Sequence, residues 1–167
     1  MGQPPPSERA LVAALDPYAR LIEIGVGRRP DVARALADRG RGVVAVDVEV
    51  SDAARDASTE TRSSNVGSLR VVTADVTALA TSDGDREIRD ALGLDASGEA
   101  AADASKAPTG VDAVYARNLP AELQRPTVAL AERLDAACLF TTLGFEEPVV
   151  DVRRRSRESG TVVYVAR

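Results

Sequence analysis

Leu21-Ile22-Glu23-Ile24-Gly25-Val26-Gly27 joins an apolar run, a carboxylate and a Gly-x-Gly turn within seven residues. A second apolar run, Val43-Val44-Ala45-Val46, ends in Asp47, 22 positions after Gly25. Glycines at such a turn let a ligand approach the backbone, and a carboxylate at that distance can grip the hydroxyls of a ribose. The chemistry implied is the binding of a small molecule with an adenosine-like group. It specifies no reaction.

The composition removes several catalytic systems. The chain has no histidine, which excludes the usual general base, Ser-His-Asp and Cys-His nucleophile systems and imidazole metal ligands. An Asp/Glu-only metal site stays open, but no EF-hand spacing is present, and no metal is expected. A single cysteine, Cys138, excludes an internal disulfide, and its apolar neighbours Ala137, Leu139 and Phe140 read as structural packing. At 167 residues the expectation is one domain spanning 1–167. With 3% aromatic residues, the core must be filled by Val, Ala and Leu. No stretch has the length and apolarity of a membrane span, and the N-terminus lacks a signal-peptide apolar region, so a cytoplasmic protein is expected. The net charge is -5, and Lys106 is the single lysine among 21 basic residues, which suits a GC-rich genome or a salt-rich cytoplasm.

The elements that must position the carboxylates follow from hydrophobic pattern and punctuation. Ser7 is a candidate cap for a helix over Glu8 to Leu15, which Asp16-Pro17 ends. Leu21 to Ile24 and Val43 to Val46 read as buried strands, too short and too apolar for surface helices. Between them Pro30 suits a first helical turn and Gly40 a stop. Asp52 to Ser68 is polar and reads as a weak helix or loop. Leu69 to Thr73 is a third strand ending near Asp75. The segment 79–110 is rich in Ala, Asp, Ser and Gly, and reads as a flexible insertion with a short helix anchored by Ile88, Leu92 and Leu94. Val111 to Ala116 is a fourth strand. A helix follows over Leu119 to Leu134, its main part started by Pro126. Ala137 to Leu143 is a fifth strand. Val149 to Arg153 and Thr161 to Ala166 leave no room for a helix between them, so they form an antiparallel hairpin about a turn at Ser156 to Gly160.

Five strands linked through helices, then a hairpin, resemble class I S-adenosylmethionine-dependent methyltransferases. The fold class implied is α/β, three-layer and Rossmann-like, with a mostly parallel sheet and a C-terminal antiparallel hairpin. The resemblance also implies S-adenosylmethionine as cofactor. Glu23 and the Gly25-Val26-Gly27 turn would take its amino-acid end, Asp47 its ribose, and Asp75 with Val76 its adenine, with Val48 a further cofactor-site candidate. Arg29 stands where the family often has a third glycine, and Pro30 breaks the dinucleotide pattern Gly-x-Gly-x-x-Gly. More narrowly, Leu21 to Gly27, Val111 to Tyr115 and Asn118 to Pro126 resemble a group of small, uncharacterised archaeal proteins with this fold.

The activity implied is methyl transfer to an acceptor that the sequence does not name. Two other readings stay open: a noncatalytic Rossmann-like nucleotide-sensing or partner-binding module, and an NAD-dependent oxidoreductase. The hairpin, the missing third glycine and the lack of Tyr-x-x-x-Lys count against the last. Amino-methyltransferases carry an Asn/Asp-Pro-Pro-aromatic turn after the fourth strand. Asn118-Leu119-Pro120 occupies that place without the second proline or the aromatic, so Asn118, Pro120 and the neighbouring Tyr115 are acceptor-site candidates beside a plain-turn reading. Arg28 and Arg29 at a helix N-terminus are either anion-attracting or solvated. Arg153-Arg154-Arg155-Ser156-Arg157 is a basic turn that either meets nucleic-acid phosphates or is solvated, and the acidic whole favours the latter. Homodimer and complex-subunit roles are both compatible with the chain.

Overall fold

The computed structural model describes residues 5–62, 66–94, 110–144, 146–156 and 161–167. Among the described residues seven strands make one sheet: β1 (Arg20–Ile24), β2 (Gly42–Asp47), β3 (Ser68–Thr73), β4 (Ala113–Ala116), β5 (Ala137–Phe140), β6 (Arg153–Ser156) and β7 (Val162–Val165). Their spatial order is β3-β2-β1-β4-β5-β7-β6. The first five pair in parallel, and β7 runs antiparallel to both β5 and β6. Strand order reverses between β1 and β4, which makes the cleft above their carboxyl ends the switch point where open α/β sheets bind ligands.

Alternation along each strand divides the core into two layers. Leu21, Ala45, Tyr115, Val163 and Val165 face α1 (Pro6–Leu15), α2 (Asp31–Asp38) and α3 (Asp52–Arg62). Ile22, Ile24, Val114, Ala116 and Phe140 face α4 (Val76–Thr81), α5 (Asp85–Leu92) and α6 (Ala121–Arg133). The expected three-layer α/β architecture is therefore present.

Several expected boundaries move for identifiable reasons. The first helix starts at Pro6 with Pro5 as its N-cap, and Ser7 makes no cap bond, because proline already supplies the first-turn dihedral and needs no hydrogen-bond partner. Pro126 lies inside α6 rather than at its start. The polar stretch from Asp52 is a helix through Arg62, since Ala54 and Ala57 are fully buried and suffice as its inner face. The segment from 79 begins with helices packed on the sheet: Leu79, Ile88 and Leu92 are buried, and Arg70 donates from Nη1 and Nη2 to the Gly93 and Leu92 carbonyls at the end of α5. Its remainder, 95–109, lies outside the described residues. The hairpin strand expected over Val149 to Arg153 instead pairs from Arg153 to Ser156. Val149 is taken by α6, its N–H donating to Gln124 Oε1 at 2.8 Å. The arginine run is thus mostly edge strand rather than turn, with Arg154 paired to Glu147 and its guanidinium 5.9 Å from the Tyr164 ring centroid. Arg157 and the turn through Gly160 fall outside the described residues. No helix of the described residues is long and apolar enough to cross a membrane.

Candidate functional site

The turn after β1 is built around two glycines in left-handed backbone, Gly25 at φ 74° and Gly27 at φ 57°, a region that costs other L-residues about 1–2 kcal/mol. The Gly25 and Val26 N–H groups donate to the Val46 carbonyl, which ties the turn to the end of β2. Asp47 completes the tie. Its Oδ2 accepts from Gly27 N–H at 2.8 Å and its Oδ1 from Glu49 N–H at 3.2 Å. Ser51 caps α3 and bridges back, its hydroxyl accepting from Ala54 N–H and donating to the Gly27 carbonyl at 2.8 Å. Each Asp47 oxygen still has acceptor capacity, since a carboxylate oxygen carries two lone pairs.

An open cavity of about 880 Å³ lies over this turn, lined by Gly27, Arg28, Asp47, Val48, Ser51 and Thr73 among others. Val48 is 67% exposed, an apolar side chain turned outward beside a carboxylate. Asp75 and Val76 begin α4 at the end of β3 and do not line the cavity. Asp75 is the N-cap: its Oδ1 accepts from Thr77 N–H at 2.8 Å. Val76 is buried.

Glu23 and Tyr115 are register partners on β1 and β4, and both are fully buried. The Tyr115 hydroxyl donates to Glu23 Oε2 at 2.9 Å, while Glu23 Oε1 has no partner among the described residues. Burial raises the Glu23 carboxyl to about 7, against the opposing pull of the Tyr115 hydrogen bond and the Arg117 charge. Burial also pushes the Tyr115 hydroxyl well up, reinforced by Glu23. Tyr115 therefore sits under the sheet's helical cover rather than on an open pocket wall. Asn118 is exposed at φ 51°, with its N–H held by the Thr141 hydroxyl at 2.9 Å; Pro120 caps α6. Asn118 and Pro120 thus stand at the carboxyl end of β4, not in the cavity beside Asp47.

Two residues that the sequence reading passed over complete the cluster. Glu8 on α1 is 2% exposed, and its Oε1 accepts from Arg117 Nη1 at 2.7 Å and from Arg29 Nη2 at 3.1 Å. One α1 carboxylate thus joins the turns that follow β1 and β4. Its signal in the sequence is a charge at the head of the otherwise apolar stripe Glu8, Leu11, Val12, Leu15. Among the described residues no group of three or more acidic or cysteine side chains is placed to hold a metal ion.

The model of an uncharacterised protein family, UPF0146, matches residues 7–78 and 65–167. Two Halobacterium salinarum relatives, the UPF0146 proteins OE_4661R and VNG_2609C from different strains, are each 36% identical over 163 residues, covering 98% of this chain and 96% of theirs. The chain belongs to the UPF0146 family. Solved structures similar to this UPF0146 chain include methyltransferases. One is magnesium protoporphyrin IX methyltransferase from Synechocystis PCC 6803 with bound S-adenosylmethionine: TM-score 0.55, 13% identity, 99% of this chain and 84% of that one. Another is an RNA methyltransferase from Salinibacter ruber in complex with S-adenosylhomocysteine: TM-score 0.54, 16% identity, 99% and 94%. At these identities the likeness is one of fold: this UPF0146 member has the class I methyltransferase architecture.

Proposed function

We propose that this protein binds S-adenosylmethionine at the carboxyl ends of β1, β2 and β3 and is a methyltransferase. The observation that carries the reading is the Gly25-Val26-Gly27 turn tied to the Asp47 carboxylate over an open cavity, at the switch point of a class I methyltransferase sheet. Asp47 offers its remaining lone pairs to ribose hydroxyls, outward-facing Val48 offers an apolar platform to the base, and Asp75 and Val76 stand at the adenine end. Glu23 and the glycine turn serve the amino-acid end, and Asn118 and Pro120 the acceptor side. The bound sulfonium supplies an already activated methyl group, so the protein's task is alignment rather than covalent catalysis, and a chain without histidine can perform it.

Calorimetric titration with S-adenosylmethionine, S-adenosylhomocysteine and NAD tests the proposal. Saturable binding of the first two and none of NAD is expected. Asp47→Ala should abolish it, but that change also unties Gly27. Val48→Glu is the cleaner probe: the side chain is exposed, so affinity should fall at least about tenfold with the melting temperature unchanged. Absence of binding by folded wild-type protein would sink the reading and favour the noncatalytic module.

A further inference from the structure

β6 is the outermost strand at one end of the sheet. Among the described residues it pairs only with β7, and no other backbone hydrogen bond reaches it. Alternate residues of such a strand turn their N–H and C=O groups outward, a ready template for a further strand. Arg153, Arg154 and Arg155 are all exposed on it. Arg154 is engaged, paired to Glu147 and set over the Tyr164 ring. Arg153 and Arg155 stand on the opposite face, with Val165 and Val163 as register partners. Neither has an ion pair or hydrogen bond among the described residues. Two positions apart on one strand, their Cα atoms are separated by about 7 Å. Beside the start of the strand lies an open cavity of about 230 Å³, lined by Val152, Arg153, Val165 and Ala166 among others.

We propose that the β6 edge docks an extended acidic segment of a partner protein, which adds to the sheet as its next strand. In such strand addition the backbone bonds give affinity, and side chains at alternate positions give specificity. Here the specificity is for carboxylates. Two of them, two residues apart, meet Arg153 and Arg155, and an apolar residue beside them enters the cavity at Val152 and Ala166. Other occupants fit less well. A second copy joined through its own β6 would bring arginine against arginine, and like charges directly opposite one another destabilise a strand pair. A nucleic acid cannot continue a β-ladder, and its phosphates are opposed by the net charge of -5 and by the nearby Glu147 and Asp151. The docking site is independent of the proposed methyl transfer: four strands separate β6 from β2, whose end carries Asp47.

The probe is a fluorescein-labelled peptide in which glutamate alternates with threonine and one leucine follows. Binding is read by anisotropy and by amide hydrogen exchange in β6. The same peptide is also made with glutamine for glutamate, and with N-methyl groups at alternate residues in either register. Polyuridylate RNA of equal charge is the nucleic-acid probe. The protein is wild type, the double variant Arg153→Gln with Arg155→Gln, and Arg86→Gln as a control on α5, whose end is held by β3 at the other sheet edge. Thermal melts verify folding. Support takes the form of saturable binding and slowed exchange in β6, with affinity lowered at least about tenfold by glutamine, by N-methylation in one register and by the double variant, and unchanged by Arg86→Gln. Equal binding of the glutamine peptide, of both N-methylated forms, or by the double variant overturns the docking site, because carboxylates, strand addition or these arginines then play no part. RNA binding without peptide binding overturns it in favour of a phosphate-binding strip. Binding of neither probe overturns it too, and leaves the arginines as guards of the edge against aggregation.

Discussion

Glu23 stores free energy in its protonation state. Its carboxyl is raised from 4.5 to about 7, chiefly by burial, so the folded state holds a proton that the unfolded chain releases. Stability therefore falls as pH rises from the unfolded value toward 7 and levels off above it, and the raised pKa corresponds to about 3 kcal/mol across that window. Urea unfolding at pH 5, 6 and 8 checks the slope, and Glu23→Gln should remove most of it. Tyr115→Phe acts in the opposite direction on the same group. Loss of the hydroxyl leaves Glu23 without its donor, moves its titration higher and costs about 1–3 kcal/mol above neutral pH. A Tyr115→Phe variant with an unchanged pH profile would show that the hydrogen bond does not hold Glu23.

At the scale of elements, residues proposed for the site also hold the fold. Asp75 caps α4 and also stands at the end of β3. Asp75→Ala should cost about 1 kcal/mol, whereas Asp75→Ser, which can still cap, should retain stability while losing nucleoside affinity. Comparing chemical denaturation with calorimetry separates the two roles. In α6, Pro126 forgoes the backbone bond that another residue would give to the turn before it. Pro126→Ala should stabilise the protein by roughly 1 kcal/mol, below the full helix-interior difference of about 3 kcal/mol because proline also stiffens the unfolded chain. A lower midpoint in urea would mean that the interrupted ladder is required by the packing of α6. The helices of the polar segment are fixed by single arginines. Arg133 Nη1 donates to the Leu79, Ala80 and Ser82 carbonyls at the end of α4, as Arg70 does for α5.

At the scale of the whole molecule, 26 acidic and 21 basic side chains sit on one sheet system. Their net repulsion is screened as the Debye length falls to about 3 Å near 1 M salt, so melting temperature should rise with potassium chloride. Net charge and the exposed ion pairs oppose each other here, and a falling melting temperature would mean that the pairs dominate. The proposed ligand binding would add a second term. At a concentration of about 100 times Kd, S-adenosylhomocysteine should stabilise the fold by about 2.7 kcal/mol, and NAD should not.

By itself the sequence determined the order of strands and helices along the chain, and through its family resemblance the layered fold class. Short apolar runs carrying Glu23, ending at Asp47 and preceding Asp75 read as strands, and the family resemblance supplied their parallel arrangement. The lack of helix-length chain between the last two strands compels an antiparallel ending. These are local properties of period and punctuation, so they are written in consecutive residues. Only the tertiary structure decided which carboxylates belong together. Asp47 reaches Gly27 across the β1–β2 pair, Glu23 is buried beside its strand partner Tyr115, and Glu8 joins Arg29 and Arg117 from segments up to 109 positions apart. Such contacts depend on register and on which layer each strand face meets. A sequence encodes those only through the packing of the whole core.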